Sequence, residues 1–62
     1  MDRRIEIFPI MIEDRQRFKY RTITPDGVVS GFSDFPTRDT ARASALESPL
    51  GQAGCHIIDV DQ

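Results

Sequence analysis

The residues from Gln16 to Thr24 alternate: Phe18, Tyr20 and Thr22 face one way, Arg17, Lys19 and Arg21 the other. Successive strand side chains point to opposite faces of a sheet, so this is a strand with one covered face and one wet face. Thr24-Pro25-Asp26-Gly27 follows at once. Pro25 presets φ for a turn, Asp26 can bond nearby backbone amides, and Gly27 accepts a positive φ without steric cost. Val28 to Ser33 then resumes as a second strand. Two runs joined by so short a loop must be antiparallel neighbours, and this hairpin constrains everything on either side of it.

A helix signal comes next. Thr37 can serve as N-cap, and Pro36 before it disfavours extending the helix backwards. Asp39 lies in the first turn, where the helix dipole favours negative charge. Thr40 stands where a capping box would place Glu or Gln, so the sequence predicts an incomplete box. Ala41, Ala45 and Leu46 form one stripe, with Arg38, Arg42 and Glu47 elsewhere, and Pro49 ends the run. A helix of about ten residues, roughly 15 Å long, is too short to persist alone. An alanine face lets it lie close to a sheet.

Before the hairpin, Arg4 to Glu13 carries Ile5 and Ile7 on one side and Phe8, Ile10 and Ile12 on the other. Pro9 cannot donate to a ladder, which predicts an edge position or an irregularity there. Glu13-Asp14-Arg15-Gln16 is polar and short enough for a second hairpin loop. After the helix, Ser48 to Gly54 has the composition of a loop. Cys55 to Val60 is the last apolar run and the expected fourth strand. Adjacent Ile57 and Ile58 point to opposite faces, which predicts burial on both. The expected architecture is α+β, a β-β-β-α-β antiparallel sheet with one helix on one face, forming a single domain over residues 1–62.

A chain of 62 residues with one cysteine cannot staple itself with a disulfide, and a domain of this size buries only about 60% of its unfolded surface. One Cys and one His do not make a four-ligand zinc site either. Association is the remaining source of core, and it predicts a homodimer with Ile57, Ile58 and Val60 at the interface. The lone cysteine fits a reducing compartment, and Met1 to Ile12 carries charges and Pro9 where a signal peptide would be apolar. No apolar run has the length of a membrane span. The expectation is a cytoplasmic protein without cofactor, metal, membrane association or evident small-molecule ligand.

The pattern of Phe18-Lys19-Tyr20, Gly27 in the turn, Phe32 after it, Thr37, Ala41 to Leu46, and Ile57-Ile58-Asp59 near the end resembles the YegP-like family of small proteins of unknown function. The resemblance spans nearly the whole chain. It implies a β3-α-β unit that pairs with a second copy, in tandem or as a dimer, into one continuous sheet with exchanged C-terminal strands. With a single unit here, it implies a homodimer in which Gly54 to Asp61 crosses to the partner. It brings no catalytic residues, and the Arg-rich start, Pro9 and the Asp-rich end depart from the pattern.

Cys55 and His56 are the only adjacent reactive pair, but as strand neighbours they point to opposite faces, so His56 is poorly placed to deprotonate Cys55. A small covered Cys beside a rim His is the simpler account. The carboxylates Glu13, Asp14, Asp59 and Asp61 are expected in a solvated turn and tail. No enzyme is expected. Six of the eight basic residues precede Thr22 in a chain of net charge −2. Arg15, Arg17, Lys19 and Arg21 form the strongest candidate surface, whether for a protein partner or for phosphates. That stripe pairs equally well across strands with acids such as Glu6. The expected function is a small non-enzymatic homodimeric module that binds a protein, of the phage- or plasmid-type inhibitor or regulator kind. The alternative is a nucleic-acid-binding module using the same four residues.

Overall fold

A computed structural model describes residues 3–62, so Met1 and Asp2 of the expected domain lie outside the described residues. Strand β1 (Arg4–Ile12), β2 (Arg15–Thr24) and β3 (Gly27–Ser30) form an antiparallel meander, followed by helix α1 (Arg38–Glu47), a one-turn helix α2 (Pro49–Gln52) and β4 (His56–Asp59). The sheet order is β3-β2-β1-β4. The fold is α+β, but the sheet is mixed and not antiparallel throughout, because β4 runs parallel to β1. The physical reason is the helical crossover: a strand that returns over α1 arrives beside β1 in the same direction.

Register sorts the side chains into two layers. Ile5, Ile7 and Pro9 stand opposite Thr22, Tyr20 and Phe18, while Glu6 and Phe8 stand opposite Arg21 and Lys19. The first set lies beneath α1, where Ile5, Ile7, Ala41 and Ala45 are wholly buried. These four are the only fully buried apolar side chains among the described residues. Tyr20 and Phe35 extend this layer with rings stacked at 6.2 Å. Leu46, expected on the contact stripe, is instead 52% exposed. The last strand is not covered on both faces: Ile57 shares the helix side with Ile5, while Ile58 lies opposite Glu6 and is exposed.

Local chemistry explains each junction. Thr37 accepts from Thr40 N at 3.1 Å while Thr40 Oγ1 accepts from Thr37 N at 3.2 Å. The capping box is therefore complete, with a threonine hydroxyl reaching where a Glu side chain usually does. Ser48 to Gly54 is not a plain loop, because Ser48 caps a second helix with Pro49 in its first turn. Pro9 sits at a local edge as expected, because β4 pairs with β1 only as far as Ile7, and the β1–β2 register runs through it without a break. Phe18 directs its own N–H and C=O toward Phe35, so Pro9 and Phe18 are a non-hydrogen-bonded pair. The Pro9 nitrogen thus faces the β4 side, where pairing has ended at Ile7.

The β1–β2 turn needs only Glu13 and Asp14, with φ of 50° and 65°. Both are left-handed, as a two-residue turn matched to strand twist requires. Replacing Glu13→Asn together with Asp14→Gly should raise stability by about 1 kcal/mol; urea titration would measure the gain. Gly51 is tied to its place by packing, since a Cβ there would run into the carbonyl of Ala45 and come within 2.8 Å of Leu46 Cα. Gly51→Ala should cost about 1–3 kcal/mol by forcing α2 off α1, read as a lower melting temperature.

Candidate functional site

The sheet face away from α1 holds the residues that the sequence singles out. Arg15, Arg17, Lys19 and Arg21 project there from β2, beside Phe8, Ile10 and Ile12 of β1. The basic stripe therefore has an aromatic neighbour on its own face. Phe18 and Tyr20 lie beneath the helix, but Phe8 directly opposes Lys19.

The middle of this face is an ion cluster built on Glu6. Arg4 donates to Glu6 Oε2 at 2.9 Å and Arg21 to Oε1 at 2.8 Å, and Glu6 is only 7% exposed. The two guanidinium hydrogen bonds, from Arg4 and then Arg21, hold the Glu6 carboxyl below its ordinary range, outweighing the opposing effect of burial. Arg21 also lies 4.6 Å from the centre of the Phe8 ring and donates to the Gln62 carbonyl at 2.6 Å. Toward the hairpin tip, Arg17 binds Asp34 at 2.6 Å. Arg15 and Lys19 form no ion pair among the described residues. Two members of the stripe, Arg17 and Arg21, are thus committed to ion pairs within the fold.

A second cluster went unread in the sequence. Asp59 is not a solvated tail residue: Arg42 Nη2 lies 2.8 Å and Arg38 Nη1 3.6 Å from its carboxylate. Arg38 further donates to the carbonyls of Ile7 and Val60 and covers the Phe18 ring at 4.9 Å. The available signal was the four-residue spacing of Arg38 and Arg42, which puts both on one helix face. Of the expected interface residues, Ile57 and Val60 are half-buried within the chain and Ile58 is exposed. Cys55 is half-buried, and His56 is exposed on the Arg4 side of the sheet. No three His, Cys, Asp or Glu residues among those described gather as metal ligands, and no described helix is long and apolar enough to cross a membrane.

The β1–β2 hairpin outreaches both neighbours. β4 pairs only with Arg4 to Ile7, and β3 only with Arg21 to Thr24. Beyond them the arm carries exposed Met11 and Ile12 beside Arg15. A shallow hollow of about 190 Å³, lined by Ile12, Glu13, Arg15, Arg17 and Asp34, opens there.

Comparisons with protein families, curated proteins and solved structures find no match to this chain. The YegP-like resemblance accordingly stands on its sequence pattern alone.

Because Glu6 has a depressed pKa in the folded chain, its contribution is present above the unfolded carboxylate pKa and is lost as pH falls through the folded value. Glu6→Gln should cost about 1–2 kcal/mol near neutral pH. It should also flatten the loss of stability on acidification, which urea unfolding across the acid range would show.

Proposed function

We propose that the protein is a small non-enzymatic module that acts as a homodimer and binds an acidic protein partner through the hairpin arm, as an inhibitor or regulator. The observation that carries this reading is the arm itself: Ile12 stands 42% exposed opposite Arg15, with Lys19 further along the same face, and Met11, 67% exposed, lies on the other face of the arm. Apolar anchors beside unpaired cations suit a protein surface that offers carboxylates around an apolar patch. The acids Glu6, Asp34 and Asp59 are each engaged with arginine, which suits structural roles better than acid–base chemistry.

The dimer supplies the core that four buried apolar residues leave wanting. One arrangement exchanges Gly54 to Asp61, hinging at Gly54 with its φ of 85° and transferring the four paired residues of β4 to the partner. The other keeps β4 in its own sheet and joins copies elsewhere.

A nucleic-acid reading is favoured by one observation, the position of Phe8 on the basic face, where bases could stack. Arg21 already covers that ring, and Glu6 and Asp34 neutralise two of the four cations. Charge reversal separates the readings. Arg15→Glu with Lys19→Glu should leave the melting temperature unchanged and abolish retention of a partner from source-cell extract, and the native chain should not shift generic DNA or RNA at physiological salt. A shift that weakens steeply with salt and disappears in the reversed variant would put the nucleic-acid reading in its place.

A further inference from the structure

We propose that two copies of this chain join through the free edge of β3, antiparallel about a two-fold axis that passes beside Val29. This rests on the homodimer reading and takes the arrangement in which β4 stays in its own sheet. Gly31 N donates to Tyr20 O, and Thr22 and Val29 share that parity in the register. Val28 and Ser30 consequently direct their N–H and C=O groups away from β2, toward the uncovered edge. With Val29 facing its own copy, Val28 meets Ser30 of the partner subunit and Ser30 meets Val28 of the partner subunit. Every edge group then finds a donor or acceptor, so the edge is complementary to itself.

The side chains agree with that register. β3 carries no charge and no proline, the usual devices that keep a strand edge solitary. Val28 and Val29 are 59% and 69% exposed, and Phe32 just beyond them is fully exposed. Val29 also walls an apolar hollow of about 300 Å³ with Thr22, Thr24, Pro49 and Leu50. The two-fold puts the two Val29 side chains in contact and merges the two hollows into one apolar layer beneath the joined sheet. Phe32 falls beside the partner's Pro25 and the turn that follows it. Charge is complementary as well: Asp26 comes level with the partner's Lys19, at about two strand spacings or 10 Å. Neither residue has an ion pair among those described within one chain.

The opposite edge is guarded. Val60 N donates to Ile7 O, so in the parallel ladder Ile57 directs its carbonyl outward, and Arg42 Nη1 occupies that carbonyl at 3.3 Å. Pairing through β3 also sets both basic stripes on the same face of an eight-stranded sheet, with the two hairpin arms projecting from its opposite ends. The two β2 strands would stand three spacings apart, about 14 Å.

Sedimentation of the native chain, of Val28→Pro and of Val29→Asp tests this. Val28→Pro removes only an N–H that the monomer does not use, and Val29→Asp sets two like charges together at the two-fold. The expected result is a native dimer and two folded monomers with unchanged circular dichroism. A third variant, Val29→Cys with Cys55→Ser, should oxidise to a covalent dimer, since an antiparallel non-hydrogen-bonded pair has Cα atoms about 4.5 Å apart, within disulfide reach. Val28→Cys in the same background should not. A native monomer, or a Val29→Cys chain that does not cross-link, overturns the proposal, and the cross-link decides even if the other two variants fail to fold. A native dimer that persists in Val28→Pro and Val29→Asp and disappears on deleting residues 55–62 would also overturn it, assigning the association to strand exchange. In that case the homodimer reading survives while the β3 edge does not.

Discussion

The close seating of α1 on β1 is the contact on which the rest depends. Ala41 and Ala45 meet Ile5 and Ile7, and these four make up the fully buried apolar core among the described residues. Alanine has no side-chain length to hold the helix away, so backbone and sheet approach closely. The area gained is small for the same reason, and burial alone stabilises such a pair only modestly. The polar chemistry around the seat then matters more than in a larger domain. Arg38 and Arg42 bind Asp59, and through it they tie the helix to the strand that follows it. Remove that tie and β4 keeps only its short parallel ladder.

Glu6 does the equivalent work on the other face. It is buried on a side of the sheet that has no covering layer, which is possible because Arg4, Arg21 and Ile58 surround it. Arg21 is the hub: it neutralises Glu6, lies on Phe8 and holds the carbonyl of Gln62. Charged side chains here take the place of a second helix. Their long stems supply apolar cover and their heads satisfy the carboxylate.

The meander was legible because it is local. Alternation in Gln16 to Thr24, the Pro-Asp-Gly turn and the Thr37 cap each act within a few residues, and each appears where the pattern puts it. The direction of β4 was not legible, because it depends on how α1 crosses the sheet, and no residue of His56–Asp59 encodes that crossing. Thr40 completing the capping box was missed because its role rests on a hydroxyl rotamer and not on side-chain length. On the open face, the cross-strand pairing of Glu6 with the stripe was visible as a possibility. That it involves Arg21 follows only from register. The Asp59 clamp required knowing that two helical arginines face a strand seventeen or more residues away, which composition does not carry.

Pro9 has a consequence for growth by strand addition. β1 is bare on its outer side beyond Ile7, where β4 has ended, and an ordinary residue there would offer a donor to an incoming strand. Pro9 offers none, and Arg42 fills an outward carbonyl of β4 just before it. If copies join through β3 as proposed, the chain is monofunctional in the language of polymer chemistry, with one coupling edge and one guarded edge. Molecules of that kind couple once and stop. Fibril formation needs a bifunctional unit that can add at both edges, and Pro9 and Arg42 each take one hydrogen-bonding group from the second.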